Sequence, residues 1–271
     1  MVGIRFYPPC EELRGIVARL YAHESGPSAP RDPRWLIVPD GDVKLIFPFA
    51  GAIRCQIGET ERLHLASRLI LSGMRTQPGG LSFPCGVDAI GVVIRPEAAY
   101  RLLAQPHSGI TNRTFDGEEI FDAAARRLQD ELMDLPSEED RVARLQVRLC
   151  EWLRQHDRRD LPFEHAVRRL KQHEGRIRIE TLACEVGWSR RHLERRFLEH
   201  AGVGPKDLAS VLRFHAVYKR MRRSADGHYA PLIQDHYFDQ SHFLKAFKQF
   251  AGVTPRVYSG VHDYGFVYIP D

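Results

Sequence analysis

The chain lacks most of what marks secreted, membrane and catalytic proteins. Its five cysteines, Cys10, Cys55, Cys85, Cys150 and Cys184, are odd in number, scattered, and form no Cys-x-x-Cys pair. A disulfide framework or cysteine zinc site is therefore not expected, and the thiols read as reduced and buried. No apolar run approaches the ~18–20 residues that span a bilayer. The opening Met1–Pro9 segment has no apolar core of a secretory signal, so a cytoplasmic location without a membrane partner is expected. His-x-His is absent, and His23, His64 and His107 lie far apart, so each reads as a surface or structural histidine and no metal is expected. There is no glycine-rich phosphate loop, no Gly-x-Ser-x-Gly elbow and no paired catalytic carboxylates. No catalytic residue, no cofactor and no enzymatic activity are expected on that ground.

What is present is a lopsided charge and an internal repeat. At 271 residues, with 43% hydrophobic and 27% charged residues, the chain has room for one large or two ordinary globular domains. Residues 161–260 hold 18 Lys+Arg and 10 Asp+Glu, a net +8, and the remainder holds 21 and 25, a net −4. A basic part beside a mildly acidic one fits a nucleic-acid-binding domain joined to a different module.

The repeat is sharper than the charge. Residues 181–205 superpose without gaps on 231–255, with 7 identities in 25 positions: Leu182/Leu232, His192/His242, Phe197/Phe247, Ala201/Ala251, Gly202/Gly252, Val203/Val253 and Pro205/Pro255. Each copy reads as helix, tight turn, helix, a shape whose second helix can enter a DNA major groove. In the first copy, Ile179, Leu182, Ala183 and Val186 give a helical stripe, Gly187 supplies the turn, and Ser189 caps the next helix. There Leu193 and Phe197 face inward, Arg191 and Arg195 face outward, and Arg190 and Glu194 flank them. In the second copy Phe243 and Phe247 face inward. Ser241, Lys245 and Lys248 face outward, with Gln240 at the leading end. A helix over about 206–223, roughly 27 Å long, joins the copies on the scale of the ~34 Å between successive major-groove faces.

These residues carry a resemblance. Ile179-x-x-Leu182-Ala183-x-x-x-Gly187-x-Ser189-x-x-His192-Leu193-x-Arg195-x-Phe197, with Gly202-Val203-x-Pro205, resembles the DNA-binding domain of the AraC/XylS transcription regulators. So does Phe238-Asp239-Gln240-Ser241-His242-Phe243-x-Lys245-x-Phe247-Lys248, with Gly252-Val253-Thr254-Pro255. The likeness covers about 100 residues. It implies a seven-helix, all-α domain with a recognition helix in each half. Carried over by position, base-proximal contacts fall to Arg191, Glu194 and Arg195, then Gln240, Ser241 and Lys245; Ser189, Arg190, His242 and Lys248 complete the expected DNA-binding set. The chain departs from the family at His236, where glycine is usual in the turn, and at Leu232, where alanine is usual. His236 can cap the turn or accept left-handed geometry better than most non-glycines, but with strain, and the second unit is expected to bind more loosely or to read phosphates.

Residues 1–115 have a β texture. Trp35–Phe47 reads as two strands around Pro39-Asp40-Gly41, with Val43, Leu45, Phe47 and Phe49 alternating; Ile53–Ile57, Leu63–Leu71 and Val87–Ile94 are further strands. Pro96–Leu103 reads as a short helix, and helical periods return over Glu118–Met133 and Glu138–His156. His156–Pro162 reads as an inter-domain linker. The arrangement is similar to the cupin-like sensor half of AraC-type regulators, in a subgroup whose ligand is poorly characterised. Trp35, Phe47, Phe49 and Phe83 either line an apolar pocket with His64 or Arg75 as polar anchor, or fill the core. Val142, Leu145, Leu149 and Leu153 form a stripe that is either a dimer seam or a face packed on the barrel.

The expected fold is α+β in two domains: an N-terminal cupin-like β-barrel with a helix pair, and an all-α C-terminal domain with two helix-turn-helix units joined by a linker helix. The boundaries are 1–157, with helices over about 118–156, then 162–260, then a tail at 261–271. The expected function is a sequence-specific DNA-binding transcription regulator, controlled by a small molecule or by self-association through the N-terminal domain. Its partners are double-stranded DNA, a small-molecule effector, a second copy in a homodimer, and RNA polymerase if it activates. The alternatives are a constitutive DNA binder whose N-terminal half dimerises or docks a partner, and a cupin-type enzyme fused to a DNA-targeting domain.

Overall fold

The structure, a computed structural model, describes residues 2–25, 34–65, 68–103, 109–156, 158–223 and 233–255. Nine strands open the chain: β1 (Val2–Tyr7), β2 (Val17–Ser25), β3 (Arg34–Ile37), β4 (Val43–Ile57), β5 (Thr60–Leu65), β6 (Ile70–Ser72), β7 (Gly79–Ser82), β8 (Val87–Ile94) and β9 (Thr114–Asp116). All the strand pairs are antiparallel, in the order β1-β2-β8-β4-β6-β9, with β5 and β7 also on β4 and β3 on β7. The two strands flanking Pro39-Asp40-Gly41 are thus real but pair with other partners, β3 with β7 and β4 with β8.

Strand β4 organises this module. Its 15 residues belong to both halves of the sheet, which curls over along it. At Pro48–Ala50 the register with β8 slips by one residue. Proline has no N–H for the ladder, and a bulge is where a strand interior tolerates it. The extra residue reverses side-chain parity. Before the bulge, Val43, Leu45, Phe47 and Phe49 face the helices; after it, Ile53 and Cys55 face the interior with Ile70, Phe83, Val87 and Ala89. Buried Gln129 donates its Nε2 to the Pro48 carbonyl at 2.8 Å, so the packed helix satisfies a carbonyl at the irregularity.

Helices cover the outer face: α1 (Ala99–Leu103), α2 (Glu118–Phe121), α3 (Ala123–Met133) and α4 (Glu138–His156). The single helical period expected over Glu118–Met133 is broken at Asp122, whose φ of 48° and ψ of −145° leave the helical region. Val142, Leu145, Leu149 and Leu153 are 3, 0, 5 and 3% exposed in the core shared with the sheet. That stripe packs within the chain and leaves no dimer seam there.

The C-terminal part contains α5 (Leu161–Gln172), α6 (Ile179–Glu185), α7 (Arg190–Ala201), α8 (Pro205–Arg223) and α9 (Gln240–Ala251). Part of the expected linker is helix: Leu161 and Pro162 open α5, capped by Asp160. One continuous apolar cluster runs from the β module through α5, α6 and α7 to Leu208 and Ala209. A second cluster, built on Phe214, Phe243 and Phe247, underlies α9 and takes Val38 of the β module at its edge. Polar contacts cross between the halves as well. Lys171 lies 3.3 Å from Glu97, and Thr111 donates to the Gly202 carbonyl at 2.8 Å. Among the described residues, no helix is long and apolar enough to cross a membrane. His107, Leu232 and the 261–271 tail lie outside the described residues.

Gly91 of β8 faces Tyr21 of β2, and a Cβ there would lie 2.0–2.4 Å from the tyrosine ring and hydroxyl. Gly91→Val should cost about 2–3 kcal/mol of stability by forcing the ring aside. Denaturant unfolding of the purified variant reads this directly.

Candidate nucleic-acid interface

The first unit is α6, a turn, and α7. Gly187 takes φ 69° in the turn, and its N–H donates to the Cys184 carbonyl at 3.1 Å. The Trp188 N–H donates to Ala183 at 2.9 Å, so carbonyls left free at the end of α6 are satisfied. Ser189 then caps α7, its hydroxyl accepting the His192 N–H at 3.2 Å. Leu193 and Phe197 are fully buried. Arg191 and Arg195 stand exposed on the opposite face. Arg190 is held by Glu194 at 3.0 Å and by Glu180 at 3.4 Å, whereas Arg191 and Arg195 have no ion-pair partner among the described residues. The free cations of α7 are thus two of the five polar positions, and Glu194 already neutralises the third.

The second unit ends in α9, which is capped by a carboxylate where α7 is capped by a hydroxyl. Asp239 is that cap, its carboxylate accepting the His242 N–H at 2.7 Å. Phe243 and Phe247 are fully buried, with Tyr237 edge-on to Phe243. Gln240, Ser241, His242, Lys245 and Lys248 are all exposed. The two copies also differ in exposure at one matched position: Trp188 is half-buried and tilts over His192 at 4.8 Å, whereas Phe238 is 94% exposed.

His236 does not carry the strain expected of it; it is not among the positive-φ residues. Its turn closes instead through its own N–H and that of Tyr237, which donate to the Ile233 carbonyl at 3.0 and 2.8 Å. Among the described residues of the C-terminal part, the non-glycine residue at positive φ is Glu174, at φ 50°, in the loop between α5 and α6. Gly175 beside it, at φ 71°, has no room for a Cβ, which would lie 1.9 Å from the Ala209 carbonyl of α8. That geometry presents Glu174 to the second unit. Its carboxylate accepts from His236 Nε2 at 2.7 Å and takes Arg220 Nη2 at 2.8 and 2.9 Å. Burial raises the Glu174 pKa, but the bonds from His236 and Arg220 outweigh it and hold it below the usual range. The first unit, the linker helix α8 and the second turn are pinned at one point.

A further node joins α7 to the β module. Asp160 accepts the Phe163 N–H at 3.1 Å, takes the Arg196 guanidinium, and lies 3.1 Å from His200 Nε2. Its own N–H donates to the Tyr100 hydroxyl, which reaches Glu164 at 3.2 Å, while the Tyr100 ring stacks on His200 at 4.1 Å. The signal for it was Asp160 two residues before Pro162, a cap followed by first-turn proline.

The six residues considered for a ligand pocket are not brought together. Trp35 and Phe83 pack at 6.0 Å on the sheet interior with His23, whose pKa burial pushes down to about 4. Phe47 and Phe49 lie on the helix side, Phe49 under the Arg141 guanidinium at 4.3 Å. Phe47 lines a cleft of about 350 Å3 with Leu69, Leu128 and Trp152. His64 is engaged at both ring nitrogens, by Asp116 at 2.7 Å and Thr114 at 3.1 Å. Arg75 is buried beside a cavity of about 60 Å3 lined by Tyr21, Cys55 and Tyr218. Among the described residues no group of three potential metal ligands converges.

Residues 182–260 match the family described as a helix-turn-helix domain, and residues 5–116 match a domain of unknown function (DUF6597). No curated protein matches the chain. Among solved structures, ToxT from Vibrio cholerae is similar over 94% of this chain and 97% of its own, at 14% identity and a TM-score of 0.50. A ToxT structure with an unsaturated fatty acid bound covers 88% and 92%, at 15% identity and a TM-score of 0.45. The AraC-like transcriptional activator CuxR covers 83% and 88%, at 16% identity and a TM-score of 0.28. At these identities the ToxT likeness speaks to the fold: an antiparallel sheet module followed by a helical domain.

Replacing His236 by glycine, the residue the family resemblance would place there, should weaken the domain. The substitution leaves the Glu174 carboxylate short of a donor, worth about 1–3 kcal/mol. Thermal unfolding should show a less stable protein, and Glu174→Gln should show much of the same loss.

Proposed function

The C-terminal part of this chain is a helix-turn-helix domain of the AraC type, and on that premise we propose that the protein is a sequence-specific DNA-binding regulator. The observation that carries the reading is the doubled arrangement: two helices, each with a buried aromatic anchor and exposed cations opposite, joined by a 19-residue helix. That helix is about 28 Å long, which suits insertion on one side of a duplex into successive major grooves. In this reading Arg191, Arg195 and Gln240 read base edges. Lys245 and Lys248 are placed for bases or phosphates, and Ser189, Ser241 and His242 for the backbone at the helix starts. His64 is engaged at both ring nitrogens, by Asp116 and Thr114, which argues against its use as a metal ligand.

Control passes from the β module to the DNA-binding helices in this reading. A single apolar core and the Asp160–Tyr100 node make the position of α7 depend on the module in front of it. The cleft beneath α3 and α4 is of ligand size and mainly apolar, with Arg127, Glu131, Arg148, Glu151 and Gln155 also in its lining. A small, mainly apolar effector is the class it suits. The rival is a constitutive binder whose β module only docks a partner; a homodimer and contact with RNA polymerase belong to either version.

Selection from genomic fragments with the purified chain should enrich a site with two boxes about one helical turn apart. Enrichment of no motif would sink the reading. On that site Arg191→Ala and Arg195→Ala should each cost about 1–3 kcal/mol of binding, and Arg190→Ala less, because Glu194 and Glu180 already hold that side chain. Lys248→Ala should weaken all sequences alike and lower the slope of affinity against salt by about one.

A further inference from the structure

Residues 5–12 run along one face of α4, and the contacts recur at a helical spacing. Glu138 takes Arg5 at 2.5 Å and the Tyr7 hydroxyl. Gln146 Oε1 accepts the Cys10 N–H at 2.5 Å. Arg154 holds Glu12 through two bonds of 3.0 and 2.7 Å. Between the last two lies Cys150, with its Sγ 3.6 Å from the Cys10 Sγ. Residues 146, 150 and 154 succeed one another every four residues, so they share one helix face. The thiol contact is therefore held in register from both sides. Cys10 is exposed and Cys150 is buried.

We propose that Cys10 and Cys150 form an oxidation site that takes a hydroperoxide and closes to a disulfide. Cys10 meets the oxidant first because it is exposed. Its sulfur attacks the peroxide, the O–O bond breaks, and Cys10 becomes a sulfenic acid while the other oxygen leaves as alcohol or water. Cys150 sulfur then displaces the hydroxyl of that sulfenic acid, the S–S bond forms, and water leaves with the Cys150 proton. Two thiols and one hydroperoxide thus give one disulfide, one water and one alcohol, or a second water when the oxidant is hydrogen peroxide. Burial, with Cys10 and Glu12 adding to it, raises the Cys150 pKa, which favours the exposed Cys10 as the thiol that meets the oxidant first. The bond would staple the first strand and its following turn to α4 across 140 residues of chain. In a reducing compartment such a bond is transient and reports oxidant. DNA binding by the other half of the chain does not use these thiols, so the two proposals stand separately.

The test is peptide mapping of the full chain after a few-fold excess of hydrogen peroxide and alkylation of remaining thiols. The expected result is a dithiothreitol-reversible peptide linking Cys10 to Cys150, with Cys55, Cys85 and Cys184 alkylated. Cys184→Ser should keep the link and Cys10→Ser should lose it; Cys10 is exposed, so that variant should fold. Amide exchange over residues 138–154 should slow in the oxidised chain and not in oxidised Cys10→Ser. Cys10 halting at sulfinic acid with Cys150 alkylated would overturn the proposal, and so would links made only between chains through Cys85 or Cys184.

Discussion

Asp160 is one of the points at which the two halves of this protein meet. It caps α5, holds Arg196 and lies against His200 of α7, while its backbone reaches Tyr100 of the β module. A half-buried carboxylate must be bonded on every side to stay charged. Here burial raises its pKa, and the bonds from Arg196 and the Phe163 N–H outweigh that and bring it below the usual range. The same bonds fix which way α7 faces. With Leu193 and Phe197 directed inward and Arg196 and His200 tied to Asp160, Arg191 and Arg195 are left on the open side. The presentation of the basic face thus follows from a contact on the other side of the helix.

The β module imposes its own constraint through the bulge at Pro48–Ala50. One extra residue in β4 divides its aromatic and aliphatic side chains between two surfaces. The outward set becomes the floor on which α3 and α4 lie and the wall of the cleft beneath them. That floor is continuous with the core of the first helix-turn-helix unit, so displacement of α3 or α4 has a packed route to α7 and not only a covalent one.

The two units are not equivalent copies. The first is closed by a left-handed glycine and the second by ordinary turn bonds plus a buried histidine. His236 trades the freedom of glycine for a bond to Glu174, whose carboxylate also takes Arg220. The left-handed strain of the region is carried by Glu174, which that geometry aims across the domain. A departure that looks like damage when the turn is read alone becomes a cross-brace when its partner, 62 residues away, is in place.

The repeat, its helix faces and its caps were legible in the amino-acid order because they are local. Spacings of three and four residues set which side chains share a helix face, and Gly187 and Ser189 act on their immediate neighbours. Helices α4 and α8 and strand β8 were readable for the same reason. Strands β1, β2, β7 and β9 were not, because short strands with mixed patterns are defined by the strand beside them. Nor was the separation of Trp35 and Phe83 from Phe47 and Phe49, which one slipped residue decides. Asp160 with Tyr100, Glu174 with His236, and Cys10 with Cys150 are separated by 60, 62 and 140 residues. No periodicity relates such pairs. Only the packing of distant elements brings them together, and tertiary structure alone decided what those residues do.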